Sequence, residues 1–432
     1  MSGDADDWIA RDAGVVWHGF TQMSCYAENA PVIVERAEGR ELIDVDGKRY
    51  LDAISSLWVN TLGHRVPELD AALLDQLQRV AHSTLLGNGN VTTIEFAEAL
   101  ASRVPVHDPH VLFASDGAAA LEQALKIAFQ YWTNQGVDDR TTYLALTHAY
   151  HGDTVGSISL GAGGFGTDVF DPLRFPVVRA PGYDHPQWHE RAEELVHQHA
   201  DTLAAVVLEP LVQGAAGILV AEPEAVARVA RACRDTGVLL IADEVATGFG
   251  RTGTLFAGEQ CGIEPDLMCV GKGITGGYLP LAATIASRPV FDAFLGPDLG
   301  ERTFYHGHSY SGNALACAVA LAHLHAFDRR GVLANVADRA AQLDDLLATR
   351  IATLAGVHEV RQRGLMAGIE LAPPADGLRW GRRVCAAAVS EGVLLRPLGD
   401  VVVLMPILTS TSDEIDRIVG ALARAIEKVA GP

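Results

Sequence analysis

The stretch Val238-Leu-Leu-Ile-Ala-Asp-Glu-Val245 decides the fold class of this 432-residue chain. Its first five residues are apolar and predict a short strand buried on both faces, which is typical of a parallel sheet. The strand then ends in two carboxylates, Asp243 and Glu244. Because ligands of open α/β sheets bind beyond the carboxyl ends of the strands, these acids lie where a binding site is expected.

A second apolar run, Leu267-Met-Cys-Val-Gly271, ends at Lys272, 29 positions after Asp243. A desolvated lysine has a lowered pKa and attacks carbonyl groups to form a Schiff base. A carboxylate that faces a pyridine nitrogen keeps it protonated, which makes pyridoxal 5'-phosphate (PLP) an electron sink. A structural Asp–Lys ion pair is the alternative that these two residues alone leave open.

The overall composition bounds the class of protein. The chain is 49% apolar and 20% charged, as in ordinary globular proteins, and its formal net charge of −21 argues against nucleic acid or an anionic membrane as a partner. The N-terminus lacks a secretory pattern, and no segment has the apolar length of a membrane span. The six cysteines are scattered without metal-type spacing, so we expect free thiols and a cytoplasmic location.

The order of patterns along the chain predicts an α/β fold. From Val91 onward, helix-like stretches alternate with short apolar runs, which indicates a largely parallel sheet between helices. Residues 31–55 instead predict a β-meander, and the last helix should begin with a capping box from Thr411 to Glu414. We predict a large domain at 61–335 and a small α+β domain formed by 1–60 and 336–432.

The residues around Asp243 and Lys272 resemble the signature of a known enzyme family. Residues Leu240-Ile-Ala-Asp-Glu-Val-Ala-Thr-Gly-Phe-Gly-Arg-Thr-Gly253 and Asp266-Leu-Met-Cys-Val-Gly-Lys272-Gly-Ile-Thr-Gly-Gly277 resemble the signature of class III (ω) aminotransferases in sequence and spacing. The resemblance implies PLP as cofactor and a PLP fold-type I (aspartate aminotransferase-like) architecture. It also implies Lys272 as the Schiff-base lysine and Asp243 as the partner of the pyridinium nitrogen.

A phosphate-binding turn is predicted at Ser115-Asp116-Gly117-Ala118, which joins a strand to a helix. Backbone N–H groups and the helix dipole favour an anion there, although a plain strand–helix turn is the alternative. The class III family usually has Ser-Gly, a small residue and Glu at this position. Asp116 departs from that pattern, and an acid beside a phosphate dianion is unexpected, so we expect Gly117 and Ala118 to bind through their backbone.

The resemblance assigns further residues to the cofactor. Tyr150 and His151 match the family's Tyr-His-Gly block, whose aromatic residue stacks on the cofactor ring. Glu209 is expected to brace the site, and Val245 belongs to the same cofactor site. Ser309 lies in a segment resembling the loop that reaches the phosphate of the neighbouring subunit in the family dimer, which implies a homodimer with a shared active site.

Four stretches resemble the branch of the family that acts in biotin synthesis and aminates 8-amino-7-oxononanoate. They are Trp17–Met23, Ser55–Val59, Ala81–Leu85 and Ile127–Trp132. The partners implied are a small-molecule amine donor and a keto-acid acceptor. The substrate-binding residues implied are Phe20, Trp58, Tyr150, Gly307 and Arg396. The fork of Arg396 suits a substrate carboxylate.

The amino donor and the breadth of substrates stay open. Members that use S-adenosylmethionine usually have His-Pro-Tyr where this chain has His18-Gly19-Phe20, and a tyrosine where it has Val403. The loss of these hydroxyls favours lysine slightly over S-adenosylmethionine. A broad ω-amine/diamine:pyruvate transaminase and a PLP aminomutase are alternatives. A nicotinamide-binding protein is a weaker one, because the G-x-G-x-x-G segments 161–166 and 248–253 lack a strand–helix context. No metal site is expected.

Overall fold

The computed structural model describes residues 5–29, 31–161 and 167–431. The chain forms two compact units. The terminal unit comprises Met1–Val66 and Ala334–Pro432, and the central unit comprises Pro67–Leu333. Most of the glycine-rich segment 161–166 lies outside the described residues.

The secondary structure alternates strands and helices through the central unit. The helices are α1 Ala5–Val15, α2 Ser55–Trp58, α3 Pro67–Arg79, α4 Val91–Ala101, α5 Gly117–Asn134, α6 Val155–Leu160, α7 Trp188–Gln198, α8 Pro223–Thr236, α9 Ala257–Cys261, α10 Arg288–Asp292, α11 Ala314–Arg329, α12 Val332–Arg350, α13 Trp380–Ser390 and α14 Ser412–Ala430. The strands are β1 Val34–Glu38, β2 Glu41–Asp44, β3 Arg49–Asp52, β4 His110–Ala114, β5 Thr142–Leu146, β6 Val178–Ala180, β7 Leu203–Leu208, β8 Val212–Gln213, β9 Leu219–Val220, β10 Leu239–Asp243, β11 Leu267–Val270, β12 Ala282–Ala286, β13 Val357–Arg363, β14 Met366–Leu371, β15 Val393–Leu394, β16 Arg396–Leu398 and β17 Val401–Leu404.

The central unit contains a seven-stranded sheet in the order β4-β12-β11-β10-β7-β5-β6. From β6 to β11 each strand is parallel to its neighbour, whereas β12 is antiparallel to both β11 and β4. The predicted α/β fold with a mostly parallel sheet is confirmed. Strands β10 and β11 are adjacent, so the two apolar runs that carry Asp243 and Lys272 end side by side.

Continuous apolar runs explain the buried strands. Every residue of β7, β10 and β11 is buried, because these runs have no polar alternation and can be stable only when both faces are covered. Helix α5 contributes one apolar face to the core cluster that contains residues of these strands. The polar residues that follow β10 and β11 are therefore placed at the edge of a closed core.

The terminal unit contains two small sheets. One has the order β1-β2-β3-β15, in which the predicted meander is confirmed and β15 joins β3 in parallel. The other is antiparallel, in the order β13-β14-β17-β16. The predicted capping box of α14 is also confirmed, since Glu414 and Thr411 exchange backbone and side-chain hydrogen bonds of 2.8 and 3.3 Å.

Some features differ from the sequence patterns. Strand β12 is Ala-Ala-Thr-Ile-Ala, and alanine has little intrinsic preference for strands, so its neighbours in the sheet impose this conformation. The glycine segment 248–253 follows β10 without opening a helix, as expected. Within the described ranges, no helix is long and apolar enough to cross a membrane, and no disulfide or metal-type side-chain cluster is formed.

Candidate active site

Lys272 follows β11 and begins a 3-10 helix, Lys272–Thr275. Its φ of 42° lies in the left-handed region, which is uncommon for a residue with a side chain. Burial lowers the pKa of the Lys272 amine, while the charges of Asp243 and Glu209 oppose that change. The residue as a whole is partly exposed, although its amine is buried. The lysine is thus an amine with a reduced proton affinity.

Asp243 ends β10 opposite Cys269 of the neighbouring strand β11. Only 5% of its surface is exposed. Its Oδ1 accepts a hydrogen bond from the Val245 backbone N–H at 3.1 Å, and its Oδ2 accepts one from His151 Nδ1 at 2.7 Å. Both oxygens are therefore fixed, and the carboxylate has a single orientation.

Glu209 is a second buried carboxyl group of the cluster. It accepts hydrogen bonds from the backbone N–H groups of Tyr150 at 3.2 Å and Gly214 at 3.1 Å. Burial raises the pKa of Glu209 to about 7, with a further contribution from the Asp243 charge, and His151 and the two N–H groups oppose the rise. Glu209 thus joins two loops and titrates near neutral pH.

His151 has a buried ring nitrogen that no protein group satisfies. Its Nδ1 donates to Asp243, and among the described residues its Nε2 has no hydrogen-bond partner although it is buried. A buried polar atom without a partner costs about 1–3 kcal/mol. Such an atom within a cluster of charged groups indicates that the site is completed by a ligand or by water.

Asp116 is the N-cap residue of α5. Its Oδ1 accepts a hydrogen bond from the Ala119 backbone N–H at 2.9 Å, and its Oδ2 accepts one from Ser115 Oγ at 3.1 Å. Aspartate is a preferred N-cap residue, which gives the departure from the family pattern a local physical reason. The backbone N–H groups of Gly117 and Ala118 come next in the first turn of the helix.

The start of α5 lies against the ends of β10 and β11. A Cβ atom on Gly117 would lie 2.6 Å from Val245 Cγ1, so a larger residue there would displace Val245 or the start of the helix. A Cβ atom on Gly271 would lie 3.4 Å from the same methyl group and 3.7 Å from Gly117 Cα. The helix N-terminus therefore lies within a few ångströms of the strand end that precedes Lys272.

The loop that carries Tyr150 and His151 is docked on α5. Gly152 has a φ of +118°, and a Cβ atom there would lie 2.4 Å from Ala118 Cβ. Farther along the loop, Thr154 donates to the Glu122 carboxylate at 2.6 Å. The Tyr150 hydroxyl donates to Asp153 at 3.0 Å. The helix N-terminus and the residues predicted to face the cofactor ring thus form one packed block.

Ser309 lies in an exposed loop of the same unit. Its carbonyl oxygen accepts a hydrogen bond from His82 Nε2 at 2.6 Å, and the rings of His82 and Tyr310 lie 5.1 Å apart. A Cβ atom on Gly307 would approach Leu86 to 2.8 Å. The loop is held by the segment before α4, which leaves the Ser309 side chain exposed.

Three predicted substrate residues belong to the terminal unit. Phe20 is 56% exposed and has a positive φ, whereas Trp58 is buried at the end of α2, a turn whose four residues all have positive φ. Arg396 begins β16 and pairs with Val403 of β17. The remaining predicted residues, including Tyr150 and Gly307, lie in the central unit.

Two charged residues of the quoted motif were given no contact of their own by the sequence prediction. Glu244 is buried, which raises its pKa to about 7, and it accepts hydrogen bonds from the Thr247 hydroxyl and the N–H groups of Ala257 and Gly258 at 2.6, 2.9 and 2.7 Å. Arg251 is only 1% exposed. A charged residue directly after a buried strand was the available signal for Glu244, whereas Arg251, eight positions after the end of β10, carried no such signal.

The residue set of the central unit fits PLP. Lys272 would offer an amine to its aldehyde, and Asp243 would offer a fixed carboxylate to its ring nitrogen. The N–H groups of Gly117 and Ala118 suit a phosphate group at a helix N-terminus. The buried His151 Nε2, which has no partner among the described residues, is a further sign that a bound group completes the site.

Comparison with known proteins agrees with this geometry. The family model "Aminotransferase class-III" matches residues 23–426. An adenosylmethionine-8-amino-7-oxononanoate aminotransferase of Nitratidesulfovibrio vulgaris is 47% identical over 96% of this chain and 80% of its own length, and one of Anoxybacillus flavithermus is 42% identical over 98% and 96%.

Two solved structures show the same overall likeness. The crystal structure of adenosylmethionine-8-amino-7-oxononanoate aminotransferase from Methanocaldococcus jannaschii has a TM-score of 0.95 at 38% identity, covering 99% of this chain and 100% of that one. A thermostable (S)-enantioselective ω-transaminase from Thermomicrobium roseum has a TM-score of 0.91 at 32% identity, covering 99% of both chains.

Proposed function

The chain belongs to the class-III aminotransferase family, and on that premise we propose that it transfers an amino group from S-adenosylmethionine to 8-amino-7-oxononanoate in biotin synthesis. As a member of this family, the chain is a PLP-dependent enzyme. The position of Lys272 in the fold is the main structural support for this proposal. The Lys272 amine lies beyond the ends of two adjacent parallel strands, near the charges of Asp243 and Glu209.

The proposed roles follow from the contacts of each residue. When bound, PLP supplies a protonated ring that withdraws electrons from the substrate carbon. Lys272 Nζ removes a proton from the donor carbon and later returns one to the acceptor carbon. Asp243 keeps the ring nitrogen protonated, and His151 orients that carboxylate. The N–H groups of Gly117 and Ala118 bind the phosphate, and Glu209 holds the Tyr150 loop beside the site.

The proposed acceptor, 8-amino-7-oxononanoate, is supported by the sequence identity between this chain and its relatives. The Thermomicrobium ω-transaminase has nearly the same fold, so fold alone does not separate a broad ω-transaminase from an enzyme of biotin synthesis. The Nitratidesulfovibrio and Anoxybacillus enzymes, whose names give 8-amino-7-oxononanoate, are 47% and 42% identical over almost the whole chain. This higher identity favours the same acceptor here.

The donor rests on the names of the relatives, which give adenosylmethionine. One observation favours lysine instead. Val403 of β17 pairs with Arg396 of β16. The tyrosine hydroxyl that this chain lacks at position 403 would therefore lie opposite Arg396, the residue predicted to bind the substrate carboxylate. The loss of a hydrogen-bonding group there would weaken the positioning of a polar donor. Lysine is therefore the second candidate donor.

We propose a homodimer as the active assembly, in which Ser309 serves the partner's site. The surface near the Ser309 loop supports this, because Leu86, Val91, Tyr305 and Tyr310 are all more than 60% exposed. Large apolar side chains grouped on a surface favour a protein interface. We also propose a cytoplasmic location, which agrees with the absence of disulfides among the described residues.

Phe20, Trp58, Tyr150, Gly307 and Arg396 are the proposed substrate contacts, by resemblance to the family. Phe20 and Trp58 offer apolar surface, and Arg396 offers a guanidinium for the carboxylate of the keto acid. Tyr150 lies in a loop whose shape depends on Gly152, which has a φ of +118°, whereas Gly307 lies in a loop that packs against Leu86.

A donor half-reaction tests the proposal. The yellow, PLP-loaded protein is mixed separately with S-adenosylmethionine, lysine, alanine and a terminal diamine, without a keto acid, and its visible absorbance is followed. Bleaching by S-adenosylmethionine alone supports the proposed donor, and bleaching by lysine alone supports the second candidate. Bleaching mainly by alanine or the diamine refutes the biotin assignment in favour of a broad ω-transaminase.

A further inference from the structure

His323 is a buried polar side chain that the proposed reaction does not use. It lies on α11 with no exposed surface, and its ring centroid lies 6.0 Å from that of Phe249 and 5.8 Å from that of Phe327. Burial lowers the pKa of His323 to about 4, so the ring is neutral near pH 7. A neutral polar ring in apolar surroundings needs a hydrogen bond to offset its loss of contact with water.

The hydrogen-bond partner of His323 is the backbone carbonyl of Ile274, to which the ring N–H donates. A neutral imidazole has a single N–H, so this bond also fixes its tautomer. Ile274 is fully buried and lies two residues after Lys272, within the 3-10 helix Lys272–Thr275. Helix α11 thus holds the turn that carries Lys272 through one directional bond.

The turn needs such support because its first residue is strained. A left-handed conformation like that of Lys272, with φ 42°, persists in a non-glycine residue only where the surroundings enforce it. Two local hydrogen bonds support the turn. The Ile274 N–H donates to the Gly271 carbonyl at 3.1 Å, and the Thr275 hydroxyl donates to the Leu279 carbonyl at 2.7 Å. The bond from His323 comes from a different element and ties the turn to the core.

We infer that His323 is a positioning residue for transamination: by holding the Ile274 carbonyl it keeps Lys272 in its strained conformation, with the amine near Asp243. The inference rests on the proposed role of Lys272 as the reacting amine. It goes beyond a structural role, because a side chain that only fills the core would affect stability without affecting the reactivity of the lysine. Precise placement of a reacting group depends on the residues that lock its neighbours.

Three variants test the inference. His323→Leu keeps an apolar side chain and removes the donor, whereas His323→Gln keeps a donor. Leu324→Ala, at the next position of the same helix and 1% exposed, is the matched control for lost core packing. We expect His323→Leu to slow the donor half-reaction about tenfold at saturating donor, since small misplacements of reacting groups cost up to about 100-fold. The half-saturating donor concentration should stay unchanged, and His323→Gln should restore most of the rate.

A second readout needs no cofactor. In the PLP-free protein, labelling of Lys272 by trinitrobenzenesulfonate is followed by peptide mass spectrometry. We expect His323→Leu to change the labelling rate, and His323→Gln and Leu324→Ala to leave it as in the wild type. The inference is overturned if His323→Leu keeps the wild-type labelling and half-reaction rates, or loses no more rate than Leu324→Ala. An active Lys272→Ala variant would instead refute the proposed role of the lysine.

Discussion

Replacing Glu209 by glutamine tests the electrostatics of the site through stability. Burial raises the pKa of Glu209 from its ordinary value of 4.5 to about 7. The folded protein therefore holds this proton more tightly than the unfolded chain does. The associated stability is fully present below pH 4.5 and is lost as the pH rises through 7. At about 1.36 kcal/mol for each tenfold change in proton affinity, the whole loss is about 3 kcal/mol.

Glu209→Gln removes this loss because glutamine does not titrate. The new amide group must face one of the two backbone donors, Tyr150 N–H or Gly214 N–H, which costs about 1–3 kcal/mol at every pH. That constant cost cancels when two pH values are compared. Relative to the wild type, the variant should therefore be more stable at pH 8.5 than at pH 5 by about 2–3 kcal/mol.

The measurement is urea unfolding of the PLP-free protein at pH 5 and pH 8.5, with equal protein concentrations. Glu264→Gln is the matched control, because its carboxylate lies in the same unit but is exposed to water. If the stability difference between Glu209→Gln and the wild type is the same at both pH values, Glu209 does not carry a raised pKa. The proposed charge balance around Lys272 would then be wrong.

Four further substitutions separate the roles of the site residues. Lys272→Ala should abolish the donor half-reaction followed by absorbance, and a wild-type rate would remove the lysine from the mechanism. Asp243→Asn keeps the shape of the carboxylate but not its charge, so PLP should stay bound while single-turnover rates fall; unchanged rates would contradict its role. Arg396→Ala should raise the half-saturating keto-acid concentration about tenfold or more, as expected for a lost charged hydrogen bond, without slowing the donor half-reaction. Asp116→Asn keeps a capping side chain without its charge, so PLP titration should show tighter binding, whereas weaker binding would mean that the carboxylate assists the cofactor.

The fold and the central pair of residues could be predicted because their signals are local. Buried parallel strands read as uninterrupted apolar runs, and the first polar residue after each run marks the end of the strand. Asp243 and Lys272 are such residues, and the structure places their strands side by side. The capping box at Thr411 is equally local, since both partners lie within four residues.

The contacts missed by the prediction join residues that are far apart in the chain. His323 bonds to a carbonyl 49 positions earlier in the chain, and Glu209 bonds to a backbone group 59 positions earlier. Neither partner can be found from periodicity or spacing, because backbone groups carry no residue-specific signal. Strand β12 was missed for a related reason: its alanine-rich sequence favours no strand, and the conformation comes from pairing with β4 and β11.

Asp116 departs from the family pattern, and the hydrogen bonds at the start of α5 show which backbone N–H groups it occupies. The first four N–H groups of a helix have no partner within the helix. In α5 the Ala119 N–H is bonded to the Asp116 side chain and the Ala120 N–H to the Asp116 carbonyl, which leaves the N–H groups of Gly117 and Ala118 for an anion. The carboxylate therefore occupies a different donor from those a phosphate would use. Its remaining effect would be the repulsion between its charge and a bound dianion, so we expect an aspartate at this position to cap the helix and to lower the affinity for the cofactor.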